Sequence, residues 1–203
     1  MTEPARLLTL PEREAAGSWP VQGRWTYEDY RQIPSDGRRY EVVRGFLYVS
    51  PAPSTDHQRA VARLFRKLDR FVSEHRLGEV LSAPYDILLP HGIASPLQPD
   101  LIFFRTGNEP RAGTPNFEGV PDLVVEVLSP GTRHLDTRIK LAAYRDAGVP
   151  EVWFADPQTR TLVVRGLSPA KSYVELARGT PGESVTSQIL PGLQIEVSEI
   201  FPR

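Results

Sequence analysis

Two apolar, strand-like runs of the sequence each carry an acidic residue at one end, and a pair of such acids could bind a metal ion. Asp100 opens the run "LIFF", and Glu126 lies near the end of the run in "PDLVVEVLSPGT". If these runs are antiparallel neighbouring strands, the start of one lies beside the end of the other, and the two carboxylates converge. Two carboxylate oxygens, several waters and a substrate phosphate are typical ligands of Mg²⁺. The pattern therefore predicts a divalent metal site; the alternative is a pair of solvated or ion-paired acids at strand ends.

The bulk composition limits the classes of function. The chain has 203 residues and no cysteine, which excludes disulfides and thiolate chemistry. The N-terminus lacks the basic start and apolar core of a signal peptide, and no run approaches the roughly 18 apolar residues of a membrane span. We therefore expect a cytoplasmic protein that does not contact a membrane. The net charge of −1 argues against a broad basic surface but leaves room for a local basic groove.

The rest of the sequence predicts the helices and strands that hold the two acids in place. Residues 1–24 show no clear period and are interpreted as an N-terminal arm, with residues 25–203 as a single domain. Thr55 and Gln58 predict a capping box for a long helix, and Gly78 predicts its left-handed cap. The predicted elements are, in order, a short helix after Thr26, hairpin strands 40–43 and 46–49, a helix 55–78, strands 79–89, 100–104 and 123–128, a helix 135–147, a strand 151–155, a meander 161–165, 173–177 and 185–189, and a helical turn 197–201. This order predicts an α/β (α+β) domain with one mixed β-sheet core flanked by helices, an N-terminal β-hairpin and extra C-terminal strands.

The order of these motifs resembles the core of the PD-(D/E)XK nuclease superfamily. The stretches "RRYEVVRGFLYVSPAPSTDHQ", "QPDLIFF", "PDLVVEVLSPGT" and "DTRIKLAAYRDAGVPEVWFADP" together resemble the Uma-two family of restriction-endonuclease-like proteins, over about residues 26–164. The resemblance implies a restriction-endonuclease-like fold, Mg²⁺ or Mn²⁺ as cofactor and nucleic acid as partner, with DNA favoured. It also leaves open a homodimer or higher homo-oligomer.

The resemblance assigns roles at the two acidic positions. Asp100 and Glu126 correspond to the metal-binding acids, and the backbone carbonyl of Val127 corresponds to a third ligand. The catalytic lysine of the superfamily belongs two residues after the glutamate, where this chain has Leu128. Leucine can neither orient an attacking water nor offset charge on a phosphoryl group.

Lys140, on the following predicted helix, is the candidate replacement, because relocation of the lysine to that helix is known in the superfamily. The alternative interpretation is an ordinary exposed ion pair with Asp136, four residues earlier on the same helix. Tyr144, one turn further on, either joins that face as a substrate-contacting residue or packs in the core.

Three other residues are weaker candidates. Glu41 resembles the extra acid that members of the superfamily recruit from an element before the three strands; the alternative is a cross-strand partner for Arg39 or Arg44. His57 shares the apolar face of the long helix, where it is either a proton shuttle and substrate contact or a satisfied, partly buried histidine. Asp86 also has a position from which it could face the site.

Together these observations predict a Mg²⁺-dependent, endonuclease-like phosphodiesterase that acts on nucleic acid, with DNA favoured over RNA. Two alternatives stay open. One is a catalytically inactive nucleic-acid-binding or protein-interaction module of the same fold, which the absence of a lysine at position 128 favours. The other is a hydrolase of a different class of phosphoester.

Overall fold

A computed structural model describes residues 18–202. Residues 1–17 of the predicted arm and residue 203 therefore lie outside the described residues. In the described end of the arm, the ring of Trp19 stacks on that of Trp25, with 5.4 Å between centroids. Trp25 in turn packs with Tyr40, Val42 and Leu47 of the N-terminal hairpin.

The described chain forms four helices, one 3₁₀ turn and thirteen strands. The helices are α1 (Tyr27–Tyr30), α2 (Thr55–His75), α3, which is π-helical over Leu135–Lys140 and α-helical over Leu141–Ala147, and α4 (Val197–Ile200), with the 3₁₀ turn at Pro90–Gly92. The strands are β1 (Arg39–Val43), β2 (Phe46–Ser50), β3 (Gly78–Ser82), β4 (Asp86–Leu89), β5 (Ala94–Leu97), β6 (Leu101–Arg105), β7 (Asn116–Glu118), β8 (Leu123–Val127), β9 (Glu151–Asp156), β10 (Thr161–Leu167), β11 (Tyr173–Gly179), β12 (Ser184–Thr186) and β13 (Gln194–Glu196).

These strands form a central six-stranded sheet, a five-stranded sheet and a small two-stranded one. The central sheet has the order β11-β10-β9-β8-β6-β3, and the five-stranded sheet has the order β2-β1-β5-β4-β7. Both are mixed, because β8 pairs parallel with β9 and β4 pairs parallel with β7, while their other neighbours are antiparallel. The predicted α+β class is therefore confirmed, whereas the prediction of one sheet is wrong.

The single predicted strand 79–89 explains part of that error. The chain turns at residues 83–85, so that β3 joins the central sheet and β4 joins the five-stranded sheet. Pro84 lies in this turn, and proline cannot donate a hydrogen bond to a sheet ladder. The predicted meander is also wrong at its third strand, since β12 ends at Thr186 and pairs with β13 in a separate sheet.

The hairpin and the helices follow the sequence closely, apart from the caps of α2. Arg44 and Gly45 both have positive φ angles, 52° and 76°, as a tight hairpin turn between β1 and β2 requires. The N-cap of α2 is Ser54, whose Oγ accepts from the amide of His57, and not the predicted Thr55. Its left-handed C-cap is Arg76 and not Gly78. Gly78 begins β3, where a Cβ would lie 2.0 Å from the carbonyl oxygen of Phe104.

The central sheet is covered on both faces, which explains why its strands are so apolar. Leu123, Val125 and Val127 of β8 face α2 and the C-terminal segment. Val124 and Leu128 face the opposite way, into a core that includes α3 and strands of the five-stranded sheet. Strand alternation places Glu126 on this second face, between the central sheet and α3.

Candidate active site

Strand register brings the two predicted metal acids together. In the antiparallel pair of β6 and β8, the last ladder pair is Leu101 opposite Val125, and continuing this register by one residue brings Asp100, just before β6, beside Glu126. Both side chains line a cavity of about 620 Å³, bounded by the segments before β1 and after β2, the start of α2 and the loop after β8. The cavity wall also includes Glu41, Val127, His57, Arg39 and Asp136.

Asp100 is held by three donors from three different elements. Its Oδ2 accepts from the amide of Val127 at 2.7 Å and lies 3.3 Å from Nε2 of His57, while its Oδ1 accepts from Nη1 of Arg39 at 3.0 Å. Burial alone would raise the pKa of this carboxyl, but the hydrogen bond from His57 and the charges of Arg39, His57 and Lys140 lower it to about 2. Asp100 is therefore ionised at neutral pH.

Glu126 has the opposite electrostatic character. It is 1 % exposed, and its Oε1 lies 2.6 Å from Nζ of Lys140 and accepts from the hydroxyl of Tyr144 at 2.5 Å. Burial raises the pKa of Glu126 to about 8, and the neighbouring carboxylates of Asp136 and Asp100 add to this effect against the attraction of Lys140. Strand β8 thus presents a carboxyl group that readily holds a proton near neutral pH.

Lys140 lies among three carboxylates and is completely buried. Its Nζ is 2.6 Å from Glu126, 3.1 Å from Glu41 and 3.3 Å from Asp136. Burial lowers the pKa of a lysine, but these three acids outweigh burial and raise it. The interpretation of Asp136 and Lys140 as an ordinary exposed pair is wrong, because Asp136 is only 4 % exposed. Lys140 does not line the cavity and lies behind the carboxylates that do.

Glu41 completes this group from the hairpin. Its Oε1 accepts from the amide of Gln98 at 2.9 Å and lies 3.1 Å from Nζ of Lys140 and 3.5 Å from Nη2 of Arg39. Burial would raise its pKa, yet the charges of Lys140 and Arg39 lower it below the ordinary value. Glu41 therefore contacts Arg39 and also lies at the site, but the contact is within strand β1 and not the cross-strand pair of the alternative interpretation.

Leu128, where the superfamily motif has a lysine, lies in an apolar environment. Its side chain belongs to the core cluster that contains Phe154 and Val163. The only buried ammonium group beside Glu126 among the described residues therefore comes from α3. Lys140 reaches Glu126 from the π-helical turn of α3, a distortion that is often found at functional sites.

The donor set fits a hard divalent cation. With all groups ionised, the carboxylates of Glu41, Asp100, Glu126 and Asp136 outnumber the cations Arg39 and Lys140 by two, and carboxylate oxygen is the ligand that Mg²⁺ prefers. Across residues 18–202, no three His, Asp or Glu side chains are already grouped closely enough to hold a metal ion. A cation here would therefore take one or two carboxylates and complete its shell with water or substrate oxygens, as Mg²⁺ commonly does.

Not every predicted residue is at the cavity surface. His57 lines it and is 8 % exposed, and its Nδ1 has no hydrogen-bond partner within residues 18–202. Tyr144 is fully buried behind Glu126, so it supports that carboxylate and does not face the cavity. Asp86 does not line the cavity; it accepts hydrogen bonds from Gln98 and Tyr30.

The sequence interpretation did not single out Arg39 or Gln98 as site residues. Arg39 lies two positions before Glu41, so strand alternation places both on one face of β1, and this spacing could have indicated it. Gln98 is two residues before Asp100, but only the tertiary structure shows that its amide reaches Glu41. The Val127 carbonyl stays a prediction; the contact that the structure gives is between the Val127 amide and Asp100.

Comparisons with known proteins bear on the fold and the family. A solved structure described as a "putative nuclease belonging to DUF820", from Anabaena variabilis, has a TM-score of 0.73 to this chain at 18 % identity, and covers 90 % of this chain and 98 % of that one. At this identity the likeness shows the fold alone.

No protein with a curated description matches the chain. No helix within residues 18–202 is long and apolar enough to cross a membrane.

The family itself is shown by sequence. The pattern of the Uma2 family, described as "Putative restriction endonuclease", matches residues 27–198, which include both sheets and every candidate site residue. The chain therefore belongs to the Uma2 family of restriction-endonuclease-like proteins, as the resemblance in its motifs predicted.

Proposed function

We propose that this protein is a divalent-metal-dependent phosphodiesterase that cleaves nucleic acid, with DNA as the favoured substrate. One observation carries the proposal: Asp100, Glu126 and Glu41 meet at one cavity, with Lys140 directly behind them. The family description and the nuclease-like fold support the same class of activity.

In this proposal Asp100 and Glu126, with the carbonyl of Val127, hold Mg²⁺ or Mn²⁺, and Glu41 completes the shell. When bound, such a cation stabilises charge on a phosphoryl group and makes water a better nucleophile. Arg39 and His57 keep Asp100 ionised and in place, and both line the cavity, where they can contact a substrate phosphate.

Lys140 is a positioning residue in this mechanism, since the carboxylates separate it from the cavity. Its charge holds Glu126 and Glu41 at their present separation. It also offsets the negative charge that four buried acids would otherwise concentrate beside an anionic substrate. Tyr144 fixes the same oxygen of Glu126 through its hydroxyl.

The test is cleavage of a labelled duplex and a labelled single strand in Mg²⁺ or Mn²⁺. Asp100→Asn and Glu126→Gln should each reduce cleavage at least about 100-fold, because each removes charge directly from the metal shell. The matched control is Asp122→Asn, which alters the other Pro-Asp pair, where Asp122 bonds Arg105 and Asn108 away from the cavity. The proposal fails if Asp100→Asn cleaves as well as the wild type.

The Lys140→Met variant tests whether Lys140 positions the metal-binding carboxylates or only stabilises the fold. The variant should lose cleavage yet bind Mg²⁺ at least as tightly as the wild type in calorimetry, because a competing cation has been removed from Glu126 and Glu41. If Lys140 only stabilises the fold, its replacement should lower metal affinity and activity together. Circular dichroism and a melting curve establish that the variant is folded.

A second candidate function is a binding module of the same fold without catalysis. Leu128 in the motif position, and the absence of a ready group of three metal-binding side chains within residues 18–202, favour it. Calorimetry with Mg²⁺ and Mn²⁺ distinguishes the two: the module should bind nucleic acid without binding either metal, and should not cleave.

A further inference from the structure

A second cavity lies beside α3 and strands β9 to β11 and is lined by arginine. Its volume is about 160 Å³. Its apolar floor is formed by Leu128, Phe154 and Val163. Its polar wall consists of three arginines, one acid and three threonines whose hydroxyls already donate within the chain: Arg133, Arg165, Arg178, Asp156, Thr137, Thr159 and Thr161.

The three arginines are not equally satisfied. Arg133 donates to Asp156 at 2.8 Å, and Arg178 makes two bonds of 2.8 and 2.7 Å to Glu175. Arg165 makes no side-chain hydrogen bond or ion pair within residues 18–202, and its Nε is buried without a partner. Among the described arginines of this wall, Arg165 is therefore free to bind an acceptor from outside the chain, and such an acceptor would stabilise its buried donor.

The local charge favours an anion as that acceptor. The cavity wall carries three positive charges and one negative charge, that of Asp156, whose oxygens already accept from Arg133, Thr159 and Gln158. Glu175 lies opposite Arg165 in the neighbouring strand, outside the cavity wall, and is already bonded to Arg178. With Glu175 included, the cluster retains an excess of one positive charge.

We propose that this cavity binds a phosphate group. Guanidinium forks match the oxygens of phosphate, and a cavity of about 160 Å³ has room for such a group. The segment 127–133 connects the two cavities: Val127 and Thr132 line the first, whereas Leu128 and Arg133 line the second. The phosphate comes either from a nucleic acid strand that also enters the first cavity or from the free anion. Neither source requires that the protein cleave anything.

The experiment compares Arg165→Met with Arg70→Met in the intact chain. Arg70 is an exposed arginine of α2 paired with Glu74, so the control removes the same charge far from the cavity. Two probes are used in buffer with chelator, which prevents cleavage: inorganic phosphate, followed by the melting temperature, and a fluorescent oligonucleotide, followed by anisotropy at several salt concentrations. Arg178→Met, at an exposed side chain, serves as a second variant in case Arg165→Met does not fold.

The expected result is that phosphate raises the melting temperature of the wild type and of Arg70→Met, but not of Arg165→Met. If the phosphate comes from nucleic acid, Arg165→Met also weakens oligonucleotide binding at least fivefold and reduces the salt slope by about one. Loss of the phosphate effect alone supports the site with free phosphate as ligand, even if the protein does not bind nucleic acid at all. If both probes act equally on wild type, Arg165→Met and Arg178→Met, the cavity is not a phosphate site.

Discussion

The two central carboxylates have opposite protonation behaviour because their neighbours differ. Asp100 receives donors from Val127, Arg39 and His57, and its pKa falls to about 2. Glu126 is fully buried and shares the ammonium group of Lys140 with two other acids, and its pKa rises to about 8. One carboxylate is thus permanently charged, whereas the charge of the other depends on pH and on any cation in the cavity.

The raised pKa of Glu126 predicts a stability profile in metal-free buffer. Because the folded pKa of about 8 exceeds the ordinary value of 4.5, the folded state retains a proton that the unfolded state releases between these values. The contribution of Glu126 to the free energy of unfolding should therefore fall as pH rises from 5 to 8, by about 1.4 kcal/mol per pH unit at most.

Urea unfolding of wild type and Glu126→Gln at pH 5, 6.5 and 8, with chelator present, measures this contribution. Glutamine cannot ionise, so the variant should gain stability relative to the wild type as pH rises. Asp100 does not interfere, since its lowered pKa affects stability only at pH values below about 4. A stability difference that is constant over the three pH values would contradict the prediction.

At the scale of elements, a single buried acid fixes the C-terminal segment to the central sheet. Glu151, at the start of β9, is fully buried and accepts from Trp153 Nε1 at 2.7 Å, Ser187 Oγ at 2.6 Å and the Gln188 amide at 2.8 Å. These bonds, with a longer one from the Ile189 amide, hold residues 187–189 against the start of β9. The segment therefore does not continue the meander as a third strand, and β12 pairs with β13 instead.

Glu151→Gln should destabilise the protein by about 2–3 kcal/mol, because the amide replaces one acceptor oxygen and leaves a buried donor unpaired. The loss should be local, with protease cleavage appearing first within residues 187–193. Urea unfolding and limited proteolysis with mass spectrometry check both parts. The control is Glu199→Gln, since Glu199 is exposed and pairs with Lys67 at the surface. Equal protease resistance of Glu151→Gln and wild type would show that this acid does not hold the segment.

At the scale of the whole molecule, the candidate site lies where three parts of the fold meet. The central sheet contributes Asp100 and Glu126, the five-stranded sheet contributes Glu41, and α3 contributes Lys140. No one of these three parts contains all of the site residues. A cation that bridges the acids would therefore bind the assembled fold and not the unfolded chain, and would stabilise the entire domain.

Mg²⁺ or Mn²⁺ should accordingly raise the melting temperature of the wild type, with a stabilisation of about 2.7 kcal/mol at a metal concentration of 100 times Kd. Asp100→Asn and Glu126→Gln should reduce or abolish the shift, while Asp122→Asn should retain it. Calorimetric melting curves with and without metal provide the measurement. If the shift is the same in all four proteins, the metal acts elsewhere on the chain.

Much of this arrangement could be predicted from residue patterns. Alternation in β8 and the position of Asp100 before β6 predicted that the two acids meet, and antiparallel pairing of these strands makes them neighbours. The pattern did not predict that Asp136 and Lys140 are buried, because spacing along a helix defines a face but not what packs against it. It also did not predict that strand 79–89 divides between two sheets, since both halves are equally strand-like.

The sequence by itself determined the fold class, the family and the strand positions of the acids, because alternation, turn residues and motif order are local properties of the chain. Only the tertiary structure decided which cation serves Glu126, since Leu128 packs into the core while Lys140 arrives from α3. It alone also brought Arg133, Arg165 and Arg178 around one cavity. The physical reason is that charge and burial depend on neighbours far apart in sequence, and packing of the sheets and α3 chooses those neighbours.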